Sequence, residues 1–398
     1  MFFIRKDTIK EQRLRGKDKD MEDRAVRVVV TAPLGVGGVT NMMINIQSHI
    51  DRSKVNFDYL VYHDRKEPLE EKVLDMGSKK LVASVDNIPV RPLRRLLRIN
   101  KIREVCKKNH VKILHYNADS AADMTNIIGA KLGGVKYITI HSHNAGFGTA
   151  GIGVKLASAL LKPLIPLICD NYWACSDLAA RFLFPKSVIK AGNYEVIPNG
   201  IELNKYAYNS DVRKVMRKRL GVEDKFVIGN VGRFSAQKNH TFLIDIFNKV
   251  QQRNSNTVLL LLGVGELMEM IKTKVRDLGI EDKVIFYGVS NEMEKMWQAM
   301  DVFVMPSLHE GLPVTGVEAQ ASGLPCVFAD TITKEIGLTD NCQFLSLNDS
   351  EERWIETILS YRDLERKSGV QALLKARYDI QQTADRVAEL YTKMVKNY

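Results

Sequence analysis

Nowhere does this sequence approach the roughly 18 consecutive apolar residues that a membrane-spanning helix needs. Its richest apolar stretch, Leu156 to Cys169, is broken by Lys162, Pro163 and Pro166. A secretory signal is also missing, because the first 24 residues mix eight Lys/Arg with six Asp/Glu and hold no apolar core. They read as a charged, disordered extension ahead of a natural start near Met21. Cysteine is sparse: Cys106, Cys169, Cys175, Cys326 and Cys342 are odd in number, widely spaced and mostly set in apolar segments. That pattern argues against both a disulfide framework and a zinc site. There is no internal repeat and no low-complexity tract. These absences point to a cytoplasmic protein.

What is present suits a large globular chain. With 398 residues, 45% hydrophobic and 26% charged, the protein exceeds what one core usually organises, so two domains are expected. The formal charge of +11 calls for an anionic partner, which the charge alone leaves open among a nucleotide, a nucleic acid and an acidic membrane surface.

Short β-branched runs alternate with helical patterns from Ala25 onward. Strands are expected at Val26–Thr31, Phe57–Val61, Lys112–His115, Tyr137–His141, Tyr172–Cys175 and Glu195–Ile197. A second series follows at Phe226–Val231, Val258–Leu262, Val284–Tyr287, Val302–Met305 and Cys326–Ala329. Continuous apolar strands separated by amphipathic helices mark a parallel sheet covered on both faces, so two doubly wound α/β domains are expected. The turn signals in Pro198-Asn199-Gly200 place the boundary near 203, with a linker at about 200–210 acting as a hinge. The expected organisation is an extension over 1–24, a first domain over 25–203, a second over 204–375, and a C-terminal segment over 376–398. Its helix carries Ala384, Val387, Leu390, Tyr391 and Val395 on one side and crosses back to the first domain.

The chemistry concentrates at strand ends. His309-Glu310-Gly311-Leu312-Pro313 follows an apolar strand and leads into a helix that carries Glu318. Such a turn aims backbone N–H groups and a positive helix end at an anion, while the two carboxylates can accept from hydroxyls. A nucleotide sugar combines both features. Gly232-Arg233 and Lys238 follow the strand that opens the second series. An arginine fork and a mobile lysine suit a diphosphate leaving group, and one such donor is commonly worth about 3 kcal/mol in the transition state. Two solvated surface cations are the plain alternative.

Thr31 to Val39, with Gly35, Gly37 and Gly38, is a glycine-rich turn that lacks both the G-x-G-x-x-G spacing and a Walker lysine. His141 and His143 end a strand, and their spacing sends them to opposite faces, so one should face the cleft and a joint metal site is not expected. Gly263-Val264-Gly265-Glu266 and Tyr287-Gly288-Val289-Ser290 are further strand-end turns, against which a nucleobase could lie.

Taken in order, these motifs resemble the retaining glycosyltransferases of family 4, with the GT-B architecture of two Rossmann-like domains facing across a cleft. Gly37-Gly38-Val39, Val196 to Glu202, Gly232-Arg233-Phe234 with Gln237-Lys238-Asn239, Gly263 to Glu266, and the Glu310 and Glu318 pair carry the resemblance over about residues 25–395. It implies that Arg233 and Lys238 hold the donor diphosphate, Glu318 the ribose hydroxyls, and the backbone of Gly311, Leu312 and Pro313 the phosphates. Gly37 and Gly38 would close onto the donor, Gly232, Gly263 and Val289 would line it, and His141 would lie beside the sugar. Glu310 would contact the transferred sugar, positioning it and stabilising charge; a double displacement through Glu310 is the minority reading. The resemblance also implies metal independence and no cofactor, in keeping with the lack of an Asp-x-Asp motif at any strand end. A UDP-sugar is the expected donor.

On the acceptor side, Arg91 to Lys112 holds nine Lys/Arg against the single acid Glu104, interleaved with Leu93, Leu96, Leu97, Ile102, Val105 and Cys106. This basic amphipathic helix suits adhesion to the anionic inner face of the cell membrane, where a polyprenyl-linked acceptor would be met. Its bland alternative is a solvated helix packed on its own sheet. The resemblance narrows further, to bacterial capsule or exopolysaccharide biosynthesis. Two rivals remain: a nucleotide-sugar epimerase of the same fold, which would need acidic groups placed for elimination, and a basic nucleic-acid-binding protein, which would need a basic groove interleaved with aromatics. The sequence offers neither.

Overall fold

The computed structural model describes residues 25–396, apart from positions 36, 87, 89, 90 and 149 and the side chains at 91, 92, 93, 95 and 96. The expected N-terminal extension, residues 1–24, lies outside the described residues.

Thirteen strands among the described residues form two sheets. The first contains β1 (Val26–Thr31), β2 (Val55–Val61), β3 (Lys80–Val82), β4 (Ile113–Ala118), β5 (Tyr137–Ser142), β6 (Asn171–Ala174) and β7 (Glu195–Val196), in the order β3-β2-β1-β4-β5-β6-β7. The second contains β8 (Phe226–Val231), β9 (Thr257–Leu262), β10 (Val284–Gly288), β11 (Val302–Met305), β12 (Cys326–Ala329) and β13 (Cys342–Leu345), in the order β10-β9-β8-β11-β12-β13. Within the second sheet β8 runs parallel to β9 and β11, and β12 to β13. Both sheets therefore have the doubly wound order, and every strand read from the sequence is found with bounds within three residues. The two not anticipated, β3 and β13, are short strands at sheet edges, where three or four residues with one or two polar members carry no periodic signal.

The central strands read as unbroken apolar runs because helices cover both faces. Leu260 and Leu262 of β9 enter one buried cluster with Trp297, Phe303 and Phe328, whereas Leu259 and Leu261 enter the other with Phe247, Val304 and Trp354. Alternation along one strand thus feeds two cores.

Contacts divide the chain into two compact units. One comprises residues up to 141, 156–173 and from 384 onward; the other comprises 142–155 and 174–383. The division is not a single cut near 203. Segment 174–203 groups with the second unit because the Glu335 carboxylate accepts from the N–H groups of Asp177 and Leu178, and because Ile201 pairs with Asp379. Nor is 200–210 a bare linker: Leu203 is buried and Leu203–Tyr206 forms a helical turn.

In the first unit the C-terminal helix Ile380–Lys396 buries Val387, Ala388 and Tyr391, while Val395, expected on the same side, is exposed at the end of the helix. The Tyr391 hydroxyl lies 2.5 Å from His115 Nδ1, and His115 Nε2 lies 3.1 Å from His141 Nδ1. Trp173 packs edge-on against both imidazoles. The helix end is therefore keyed to β4, β5 and β6 by a buried aromatic and polar cluster.

In the second unit Gln320 anchors the helix Val314–Ala321. Its amide donates to the carbonyls of Gly316 and Ile336 and accepts from the N–H groups of Leu338 and Thr339, with no surface exposed. Gln320→Leu keeps the volume but strands these groups, each costing about 1–3 kcal/mol when buried and unpaired. We expect it to lower unfolding stability by about 3 kcal/mol in urea denaturation.

Candidate functional site

In a doubly wound sheet the connections on either side of the switch point depart in opposite directions, leaving a crevice at the strands' carboxyl ends. In the second unit that point lies between β8 and β11, which pair at Val302↔Ile228 and Phe303↔Gly229. Asn230 ties the two strands further by donating to the Val304 carbonyl at 2.7 Å. The loops leaving these strands, 232–239 and 306–313, carry the candidate residues.

Three glycines let the loops interlock. A Cβ at Gly263, whose φ is +134°, would fall 2.0 Å from the Gly232 carbonyl oxygen, and one at Gly265 would fall 2.4 Å from that of Phe234. Gly232 in turn lies under the Lys238 stem, with a Cβ placed 3.0 Å from Cε. The Phe234 N–H donates to Val264 O, and the Leu267 N–H to Phe234 O. Lys238 is thereby directed across to the second loop, where its Nζ lies 2.7 Å from Glu310 Oε1. The pair is largely enclosed, with side-chain exposures of 17% and 10%. Although close, Oε1 is out of line for a hydrogen bond and makes none among the described residues. Gln237 joins the loops as well, donating from its side chain to His309 O at 2.9 Å and accepting at its carbonyl from the Leu308 N–H at 2.8 Å.

Arg233 behaves differently. Its side chain is 73% exposed and pairs with Glu266 at 3.0 Å. A pair this exposed contributes little to stability and leaves the guanidinium free to change partners. His240, next to these loops, is buried and stacks on Phe234 at 4.2 Å between centroids. Burial, with the Lys238 charge second, lowers its pKa to about 4, so it is neutral near pH 7.

Gly311, Leu312 and Pro313 lead into the helix Val314–Ala321, whose N-terminus has no side-chain cap and no acid in its first turn. Its positive end is thus unneutralised by its own residues. The main chain at His143 passes over Gly311, where a Cβ would lie 3.4 Å from the His143 carbonyl. Leu312 and Pro313 are buried, and Val289 is 70% exposed beyond β10.

One turn along the helix, Glu318 accepts from Trp297 Nε1–H at 3.1 Å and from the Tyr206 hydroxyl at 3.2 Å. The residue keeps some accessible surface, but its carboxyl is closely surrounded and burial pushes the pKa up to about 7, against the two hydrogen bonds that lower it. Trp297 and Tyr206 were not legible from the sequence as partners of Glu318, since neither belongs to a motif; only the folded chain brings them to it.

The first unit holds the remaining candidates. Gly37 and Gly38 are exposed at the start of the helix Gly38–His49, with nothing within 4 Å of a Cβ at either. His141 does not face open space: its side chain is fully buried against His115 and Trp173. Its place in the aromatic cluster explains why, because the strand register turns it into the layer that holds Tyr391. His143, which belongs to the second unit, keeps partial surface, yet is ringed by enough protein that burial lowers its pKa to about 4. Among the described residues no group of three or more His, Cys, Asp or Glu is placed to hold a metal ion.

Known proteins resemble this chain. The family described as Glycosyl transferases group 1 matches residues 212–335, and that described as Glycosyltransferase Family 4 matches residues 36–205. EpsF of Bacillus subtilis (strain 168), whose name designates it a glycosyltransferase, is 32% identical over 374 residues, covering 91% of this chain and 95% of that protein. An Escherichia coli UDP-Gal:alpha-D-GlcNAc-diphosphoundecaprenol alpha-1,3-galactosyltransferase is 28% identical over 247 residues, covering 61% of this chain and 62% of that one. The crystal structure of Anabaena Alr3699/HepE in complex with UDP superposes with a TM-score of 0.74 at 20% identity, covering 92% of this chain and all of that one. The chain belongs to glycosyltransferase family 4 and has the GT-B fold. It is a glycosyltransferase acting on nucleotide sugars.

The raised Glu318 pKa has a definite sign. Between about pH 4.5 and 7 the folded protein retains a proton that the unfolded chain has lost, so this contribution is full below 4.5 and gone above 7. Replacing Glu318 by Gln removes it. Relative to wild type, the Glu318→Gln protein should gain about 2 kcal/mol between pH 5 and 8, measured by urea unfolding at each pH. A constant difference would show that Glu318 is ionised throughout.

Proposed function

We propose that this protein transfers a hexosyl or N-acetylhexosaminyl group from a UDP-sugar to a glycan or lipid-linked saccharide in surface polysaccharide biosynthesis, with retention and without a metal ion. The observation that carries the reading is the enclosed Lys238–Glu310 pair at the switch point, beside the uncapped start of helix Val314–Ala321. A diphosphate there meets a lysine, a helix N-terminus and the mobile Arg233, all suited to the charge that grows on a departing nucleotide. Glu318 is the group for ribose hydroxyls. The relative that uses UDP-Gal and an undecaprenol-linked acceptor supports both the donor class and the acceptor class. The Salmonella typhi Vi polysaccharide biosynthesis protein VipC/TviE, 23% identical over 286 residues, supports the polysaccharide setting.

In this reading Glu310 has two tasks. It holds the Lys238 ammonium within the loop before the donor arrives, and it faces the transferred sugar once Lys238 turns to the phosphates. The acceptor hydroxyl attacks from the face that the leaving diphosphate vacates, and the leaving phosphate takes its proton. Glu310 stabilises the positive charge that develops on the sugar.

The basic helix contributes charge. In the helix Arg91–Lys108, Ile102 and Cys106 are buried, and Gly129 and Gly133 of the neighbouring helix sit against Ile99, Arg103 and Cys106. Lys101, Arg103, Lys107 and Lys108 are exposed. An anionic inner membrane face is the partner we assign to them.

The test is calorimetry with UDP, uridine, GDP and ADP. UDP should bind preferentially, and Lys238→Ala should weaken UDP at least tenfold while leaving uridine within about twofold, because only the diphosphate meets Lys238. Glu310→Gln should keep UDP affinity within about threefold yet lower turnover of the UDP-sugar at least a hundredfold. No binding of any nucleotide would remove the proposal, and a trapped glycosyl-enzyme at Glu310 would replace the direct displacement.

A further inference from the structure

One helical segment departs from the rule that apolar residues are covered. The helix Ile152–Leu161 continues through the 3-10 turn Lys162–Leu164 into Ile165–Ile168. Its residues are almost all apolar, yet only Ser158 and Ile165 are buried. Ile152, Leu156 and Leu160, spaced four apart, are 77%, 61% and 78% exposed, and Leu167 is 78% exposed. Single exposed leucines are ordinary, but a contiguous stripe marks an interaction surface.

Charge and position indicate what covers it. From Met124 to Cys169 the chain has no acidic residue and four lysines, Lys131, Lys136, Lys155 and Lys162, of which the last two border the stripe. Steps from β3 to β4, β4 to β5 and β5 to β6 all advance in one direction across the sheet. Right-handed crossovers therefore put the helices 91–108, 124–132 and 152–168 on the same face. Contacts agree: a Cβ at Gly129 would lie 2.6 Å from Ile99 O, and the Ala122 N–H donates to Ser158 Oγ at 3.2 Å. Leu132, at the end of the middle helix, is 63% exposed. An apolar stripe bordered by lysines thus shares a layer with a strongly basic helix, with no acid along 46 residues to repel an anionic surface. The combination matches an element lying in the plane of an acidic bilayer, with leucines in the acyl boundary and lysines at the headgroups. No described helix is long and apolar enough to cross a membrane, which fits an element that lies on the bilayer.

We infer that the 152–168 segment is the inserting element of a membrane-docking face, for which the basic helix 91–108 supplies the attraction. The inference gives a place to the lipid-linked acceptor of the proposed function and rests on that reading for its purpose. Its physical content, binding to anionic lipid, is read without donor or acceptor, so the two fail separately.

The experiment is flotation of the full chain with vesicles of phosphatidylglycerol and phosphatidylcholine, and with phosphatidylcholine alone. Wild type should float with the anionic vesicles. The triple change Leu156→Gln, Leu160→Gln and Leu167→Gln should cut partitioning at least tenfold, with melting temperature and UDP binding retained because these side chains pack on little. In the Leu160→Trp variant, the fluorescence of the introduced indole should be quenched by acyl-chain-brominated lipid. Equal flotation of the triple variant, or no quenching in Leu160→Trp, would overturn the inference. So would a wild-type dimer that does not float and that the triple change turns into a monomer, because the stripe would then serve a second copy of this chain.

Discussion

The pairing of β8 with β11 is the constraint on which the site depends. Because β8 connects onward to β9 on one side and β11 to β12 on the other, the loops leaving these adjacent strands diverge, and a crevice opens above their carboxyl ends. The sheet order therefore creates the space before any side chain fills it. Asn230, fully enclosed, bonds across the two strands at this point. Glycine at 232, 263 and 265 then lets two loops approach backbone to backbone, where a side chain at 263 or 265 would collide with a carbonyl. This closeness turns Lys238 toward Glu310 and away from solvent.

The site's charges fall into two kinds, and the difference is one of enclosure. Lys238 and Glu310 neutralise each other in a confined place, where leaving either alone would be costly. Arg233 and Glu266 sit in water, where their attraction is weak and exchange of partners is cheap. An enclosed cation and an exposed one thus sit on the same short loop. Glu318 is a third case: two neutral donors hold it without a cation in hydrogen-bond contact, so its proton is retained to near neutrality.

The protein's basic character is likewise divided. In the helix 91–108, Ile102 and Cys106 are buried toward the next helix while Lys101, Arg103, Lys107 and Lys108 are exposed. In the segment 152–168 the reverse holds, with few charges and leucines outward. Amphipathic spacing in a sequence does not say which face a neighbour will cover.

The sequence by itself determined the two series of strands, their parallel doubly wound class, and the motifs at their ends, because continuous β-branched runs and strand-end glycines are local signals. The family resemblance was legible for the same reason, in the order of Gly232-Arg233, Lys238, Glu310 and Glu318. Tertiary structure alone decided which strand-end residues meet. It paired Lys238 with Glu310 and Arg233 with Glu266, surrounded Glu318 with Trp297 and Tyr206, and buried His141 in a cluster with a tyrosine 250 positions further on. It also drew 174–203 into the second unit through Glu335 and Asp379. These outcomes depend on register and on contacts between distant segments, which leave no periodic mark in the chain.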